Sequence, residues 1–189
     1  MNKNTFQTVK LEKGEFNIYD FGTVKLHAYK TNDFIDDEVF IVEKMGKAVV
    51  IESPCFFENI WELTDYLKNL QVEGVLVAYH GAGATFLPDV PKYATQNAVD
   101  YSKNGGGKAL VDQFAGAFGE IFDHSIHPIT NIIGTLNTLI VQVENALMVV
   151  LLKECSLHVL LLLLPNSLLF QTLVFLLQAH YLLLQLVHH

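Results

Sequence analysis

The chain has 189 residues and a formal net charge of −8, an acidic balance that excludes an ordinary nucleic-acid-binding surface, which needs clustered cations. All twelve basic residues are Lys, so bidentate guanidinium contacts to phosphate or carboxylate are excluded as well. Two cysteines are too few for a disulfide framework or a zinc cluster, and the polar N-terminus lacks the apolar stretch of a secretory signal, so we expect a cytoplasmic protein.

Strand patterns dominate the first fifty residues. Runs rich in β-branched and aromatic residues predict four strands, over residues 16–19, 24–29, 39–43 and 48–52. A bend at Phe21 and Gly22 separates the first two strands, and residues 44–47 join the last two as a hairpin. The acidic residues 36–38 lie between the two pairs, and we expect them to form a solvated loop.

Helices and short strands alternate in the next eighty residues. Apolar side chains recur at helical spacing over residues 56–70, and similar patterns predict helices over residues 96–102 and 108–122. Thr95 is the expected N-cap of the second helix. Short strands are predicted over residues 75–79, where Gly74 marks the preceding stop, and over residues 91–94 and 129–133. A strand pair followed by alternating helices and strands indicates an α/β fold.

The composition changes abruptly after Gly134. Residues 135–189 are rich in Leu and contain only three charged residues, Glu144, Lys153 and Glu154. This tail has three interpretations: a membrane segment with spans over residues 136–152 and 167–187, a buried helical pair broken at residues 165–167, or a stretch not under selection, such as a shifted reading frame. We therefore divide the chain into a domain of residues 1–134 and a Leu-rich tail of residues 135–189.

The order of elements in the first domain resembles the N-terminal half of the metallo-β-lactamase superfamily. The matching stretch is VFIVEKMGKAVVIESPCF, from residue 39, and VEGVLVAYHGAGATFLPDVPKYAT, which ends at residue 95. The resemblance covers about a third of the chain and implies an α/β half-sandwich of the αββα type. Such an incomplete sandwich would expose the inner face of its sheet, which favours self-association.

The resemblance directs attention to a metal motif, because the family's motif HxHxDH holds one or two zinc ions. Such a metal lowers the pKa of bound water to about 7 and so provides hydroxide at neutral pH. Here His80 matches the first position, but Ala82, Ala84 and Thr85 stand in place of the second His, the Asp and the last His. Alanine has no donor atom, and one imidazole does not hold zinc by itself. The sequence therefore predicts a degenerate zinc site.

His124 and His127 are further candidates for metal ligands. With Asp123 they form a D-H-x-x-H pattern, and histidines three residues apart can share a helix face. Because Pro128 follows, the same pattern is also typical of a helix exit with solvated histidines. The sequence leaves both interpretations open, and it leaves open a three-histidine site with His80.

Two other features have a chemical and a structural interpretation. Cys55 precedes a predicted helix, where a thiolate would be stabilised, but a structural cysteine fits the same position. The small-residue loop of residues 81–84 follows a strand at the sheet edge where α/β proteins bind ligands, or it only packs closely. The glycine-rich residues 104–108 lack the spacing of a phosphate-binding loop, and we expect them to lead into a helix.

We therefore predict a divergent metallo-hydrolase-like protein that lacks an intact zinc site and is inactive. If it is active, His80 is the expected metal ligand, zinc is the expected metal, and its other ligands depart from the family pattern. The alternative is a non-enzymatic module that is tethered to a membrane through residues 155–189 or binds a partner. The sequence identifies no substrate and no catalytic residue.

Overall fold

The computed structural model describes residues 5–133, 138–143, 146–153 and 156–162. The chain divides into two units, Met1–Leu136 and Asn137–His189. The first unit contains three α-helices and an eight-stranded sheet, which confirms the predicted α/β fold class.

The sheet changes from antiparallel to parallel at its fifth strand. Its strands lie side by side in chain order: β1 (Thr5–Lys10), β2 (Glu15–Asp20), β3 (Lys25–Lys30), β4 (Glu38–Lys44), β5 (Lys47–Ile51), β6 (Gln71–Leu76), β7 (Lys92–Thr95) and β8 (Asn131–Ile133). Neighbours from β1 to β5 pair antiparallel, and neighbours from β5 to β8 pair parallel. Because parallel strands end at the same edge, the segments that follow β5, β6 and β7 meet there.

Local signals set the ends of two helices. Helix α2 (Gln96–Asn104) begins after Thr95, whose hydroxyl accepts the Ala98 N–H at 3.2 Å, so the predicted N-cap is confirmed. Helix α3 (Gly106–Phe118) ends four residues earlier than predicted. Gly119 adopts a φ of 57°, which glycine reaches without strain, and this turns the chain into a 3₁₀ turn, Gly119–Ile121.

Helix α1 (Phe57–Leu67) is fixed to the sheet by a buried polar network in addition to apolar packing. The Asn59 amide donates to the Thr31 carbonyl at 2.7 Å and to the Tyr29 hydroxyl at 3.1 Å. Thr31 in turn donates its backbone N–H and its hydroxyl to the Asp37 carbonyl, at 3.0 and 3.1 Å. The network therefore also holds the loop between β3 and β4 that carries Asp37.

Strand β6 begins four residues earlier and ends three residues earlier than predicted. Gly74, expected as a stop, lies inside the strand because the Tyr93 ring packs over it and leaves no room for a Cβ. After the strand, the Val77 N–H still bonds to the Tyr93 carbonyl of β7 at 2.8 Å, and the next residue, Ala78, donates its N–H to the Glu52 carboxylate at 2.8 Å. Strand β1, absent from the prediction, pairs with β2 along its whole length.

In the second unit, the described residues form a three-stranded antiparallel sheet of β9 (Thr138–Val143), β10 (Ala146–Lys153) and β11 (Ser156–Leu162). The described residues of the candidate span 136–152 are in strands β9 and β10 and not in a helix, and the association of the tail with a membrane stays a prediction. The second predicted span, residues 167–187, and the break at residues 165–167 lie outside the described residues. Among the residues that the structure describes, no helix combines the length and apolar character needed to cross a bilayer.

The α1 network predicts the effect of removing the Asn59 amide. Asn59→Ala leaves two buried oxygen acceptors without this donor, so we expect it to lower the free energy of unfolding by about 2 kcal/mol. Urea denaturation measures the change. Trp61→Ala on the same helix is the control, because Trp61 is 66% exposed and its loss should cost about 0.5 kcal/mol or less. Equal effects of the two variants would contradict the role given to Asn59.

Candidate functional site

Three donor side chains from distant parts of the sequence meet at the edge where the parallel strands end. Asp37 lies in the loop before β4, Cys55 lies just before α1, and His80 follows β6. One donor atom from each lies within 4.8 Å of the other two. His80 Nε2 is 3.6 Å from Cys55 Sγ and 4.0 Å from Asp37 Oδ2. The donors thus converge on one point and do not form a linear nucleophile–base–acid relay.

The hydrogen bond on the other ring nitrogen of His80 determines where its proton lies. The backbone N–H of Ala82 donates to His80 Nδ1 at 3.1 Å. Because Nδ1 accepts this bond, the proton of the neutral imidazole is on Nε2, which faces Cys55 and Asp37. The Cys55 thiol directs its own proton to the Ser53 carbonyl, whose oxygen lies 3.8 Å from Sγ. In this arrangement Nε2 donates toward the sulfur and has no lone pair for a metal.

Burial and neighbouring charges set the protonation states of the three groups. Burial lowers the pKa of His80 to about 4. Burial raises the pKa of Asp37 to about 6, and the charges of Asp33 and Asp36 add to this shift. Burial, followed by the Asp37 charge and further carboxylates, raises the pKa of Cys55 well above its usual value. At neutral pH the cluster therefore contains a neutral imidazole and a neutral thiol, which argues against the thiolate interpretation of Cys55.

The loop of residues 81–84 is closely packed where the family motif would place metal ligands. Ala82 is fully buried, and Gly81 and Gly83 have φ values of 74° and 84°. A Cβ on Gly83 would lie 2.5 Å from the Pro54 carbonyl oxygen. The loop fits its surroundings only with small residues, so the structural interpretation of this segment explains its composition.

A second segment, residues 122–127, holds this loop in place. Gly83 and Ala84 donate their backbone N–H groups to the carbonyls of Asp123 and Ser125, at 3.1 and 3.2 Å. The Asp123 carboxylate accepts the Thr85 N–H and hydroxyl at 2.9 and 2.6 Å. Burial by itself would raise the pKa of Asp123, but hydrogen bonds from Ser125 and Thr85 to its charged form hold that pKa below its usual value. Asp123 therefore stabilises the loop and is not free to act as a base.

The structure separates the two histidines of the D-H-x-x-H pattern. The pattern follows the 3₁₀ turn and lies in extended chain, so the predicted shared helix face is wrong. His124 is exposed, whereas His127 is 2% exposed and has its Nε2 2.9 Å from the Ser53 hydroxyl. Neither joins His80 in the cluster of donors that the described residues form. Their assignment as metal ligands stays a prediction.

The sequence identified His80, but it gave little reason to place Asp37 or Cys55 beside it. Asp37 was expected in a solvated loop, and Cys55 was considered as a helix-start thiolate or as a structural cysteine. Their meeting depends on the pairing of β4, β5 and β6, which no local pattern encodes. The available signal was positional: Cys55 and His80 each follow soon after a strand of the same predicted parallel pair.

Comparison with known proteins gives a likeness of structure only. No protein-family model and no curated protein matches the chain. The crystal structure of DIM-1 metallo-β-lactamase matches with 13% identity and a TM-score of 0.44, covering 79% of this chain and 60% of that chain. The structure of DIM-1 metallo-β-lactamase exposed to ceftazidime matches with 14% identity and a TM-score of 0.42, covering 78% of this chain and 60% of that one. The solved structures thus belong to the family that the sequence resembles, and this chain spans 60% of their length.

The packing of the small-residue loop predicts opposite effects for two glycine substitutions. Gly83→Ala places a methyl group against the Pro54 carbonyl at a positive φ, so we expect a loss of at least about 2 kcal/mol of stability. Gly116→Ala in α3 meets no atom within 4 Å and should stabilise the protein by about 0.5–1 kcal/mol. Thermal and urea unfolding test the pair. A harmless Gly83→Ala would show that the loop is not constrained as described.

We expect the buried His127 to make the folded protein less stable in acid. Burial, with smaller contributions from Lys92 and His80, lowers the pKa of His127 to about 4, below its usual value of 6.5. Between these values the unfolded chain binds a proton that the folded chain does not, so stability falls as the pH drops from 6.5 to 4. At pH 5 this loss is about 2 kcal/mol. His127→Gln should therefore lose less stability than the wild type between pH 7 and pH 5, as measured by urea midpoints. An identical loss in both proteins would contradict the assignment.

Proposed function

We propose that this protein is a metallo-β-lactamase-like protein that does not perform zinc-dependent hydrolysis. Its Asp37–Cys55–His80 cluster is instead a hydrogen-bonded group of the fold at the edge where the parallel strands end. The observation that supports this most directly is the Ala82 N–H bond to His80 Nδ1. A histidine that binds a metal through one ring nitrogen usually donates a hydrogen bond from the other ring nitrogen to a carboxylate or carbonyl. In His80 that other nitrogen, Nδ1, accepts a hydrogen bond instead.

The donors that remain from the family motif support the same conclusion. Ala82 and Ala84 have no side-chain donor, and the Thr85 hydroxyl donates to the Asp123 carboxylate at 2.6 Å. The close packing around Gly81, Ala82 and Gly83 opposes larger side chains at these three positions. A hydrolytic site of the family pattern would therefore require changes in the loop and in the segment against which it packs.

A second candidate is a single-metal site made of the same three residues. A tetrahedral zinc with one sulfur and one nitrogen ligand places those atoms roughly 3.6 Å apart, close to the Cys55–His80 separation of 3.6 Å. Bound zinc would polarise a water molecule for hydrolysis. Asp37, Cys55 and His80 would hold the metal only if His80 moved its proton to Nδ1 and gave up the Ala82 bond.

Cobalt binding distinguishes these two candidates. Co²⁺ bound to a cysteine thiolate gives a near-ultraviolet charge-transfer band, so the band reports directly on ligation by Cys55. For the wild-type protein after chelator treatment, we expect no such band with one equivalent of Co²⁺. We also expect no more hydrolysis of an aryl ester or a β-lactam with added Zn²⁺ than for the His80→Ala variant.

The two cysteines provide a matched control for the cobalt experiment. A band that is lost in Cys55→Ser and retained in Cys155→Ser would establish the single-metal site and overturn the proposal. Hydrolysis that requires Zn²⁺ and is lost in His80→Ala would overturn it as well. The membrane-tethered or partner-binding alternative remains a separate prediction, because it depends on residues 155–189 and the structure describes only 156–162 of these.

A further inference from the structure

A small cavity lies next to the site, between the ends of β6 and β7, helix α2 and the segment around His127. It has room for about one water molecule. Val77, Ala94 and Val99 form part of its apolar wall, and Ser102 and His127 contribute polar atoms. His127 Nδ1 is buried and has no hydrogen-bond partner among the described residues.

The Ser53 hydroxyl determines which form of His127 lines this cavity. Ser53 has one proton, and its oxygen lies 3.0 Å from the Ala82 carbonyl and 2.9 Å from His127 Nε2. If the proton pointed to Nε2, the Ala82 carbonyl would lose its Ser53 donor and would be left without that hydrogen bond. Donation to the Ala82 carbonyl leaves His127 Nε2–H to donate to Ser53, and Nδ1 becomes an acceptor.

Two acceptors thus line a cavity of the size of one water molecule. The first is His127 Nδ1. The second is the Ser102 hydroxyl oxygen, whose single proton has two backbone carbonyls as possible acceptors, the nearer of Ala98 at 2.7 Å and that of Tyr79 at 3.1 Å. A ligand with two O–H donors fits this pair, whereas a metal cation would find only one imidazole nitrogen and a hydroxyl. A buried acceptor left unpaired is costly to stability, so occupation by a donor is favoured.

We propose that this cavity is a binding site for one water molecule that donates to His127 Nδ1 and to Ser102 Oγ. Beyond the cavity, His127 Nε2–H donates to Ser53 and the Ser53 hydroxyl donates to the Ala82 carbonyl. Occupation of the cavity thereby stabilises the tautomer of His127 that keeps the hydrogen bond between Ser53 and Ala82. This inference concerns the protein without metal and does not depend on whether the proposed function holds.

Nuclear magnetic resonance of the ¹⁵N-histidine-labelled protein tests the site. In the wild type we expect a long-lived water contact to the ring of His127, with Nδ1 unprotonated and Nε2 protonated. Ala94→Val extends a wall residue into the cavity, so the water contact should be lost and both nitrogen resonances of His127 should shift.

The control is Ala48→Val, a buried alanine on β5 that does not line the cavity. We expect it to perturb packing to a similar extent and to leave the water contact and the His127 resonances unchanged. Absence of a long-lived water from the wild-type protein, or a protonated Nδ1 on His127, would overturn the proposal even if Ala94→Val fails to fold. An Ala94→Val variant that folds and retains the water contact would overturn it too.

Discussion

The backbone of Ala82 is the constraint on which the chemistry of this site depends. Its N–H holds His80 Nδ1 and its carbonyl accepts the Ser53 hydroxyl, so the residue is fixed on both sides. Gly81 and Gly83, at positive φ, allow the chain to bring Ala82 into this position. Ala82 therefore sets the proton position of His80.

The parallel part of the sheet makes this arrangement possible. The chain segments after β5 and β6 leave the sheet at the same edge. Glu52, in the first of these segments, accepts a hydrogen bond from the N–H of Ala78 in the second. Burial raises the pKa of Glu52 to about 7, whereas a salt bridge would lower the pKa of a carboxyl group. Low polarity at this edge favours the neutral forms of Glu52, Cys55 and His80 alike. A divalent cation would have to reverse these preferences, which is why the donor distances alone do not decide the function.

Features encoded by short stretches of sequence could be predicted, and features that depend on distant contacts could not. The hairpin of β4 and β5 and the Thr95 cap follow from turn and capping residues and were found. His80 was expected directly after β6, but three residues separate the two because the strand begins and ends earlier than predicted. The shift came from Tyr93, which packs over Gly74 from the neighbouring strand. Asp37 was missed because its place beside His80 depends on Thr31 and Asn59, and the spacing of His124 and His127 suggested a helix that the chain does not form there.

The most direct test of this account is the protonation of the two ring nitrogens of His80 in the metal-free protein, read from their ¹⁵N chemical shifts at neutral pH. The account predicts a protonated Nε2 and an unprotonated Nδ1 that accepts the Ala82 N–H. This result would show that the ring is held in the form that lacks a lone pair facing Cys55 and Asp37. A protonated Nδ1 with a free Nε2 would contradict the account, since the ring would then be prepared to bind a metal together with the other two donors.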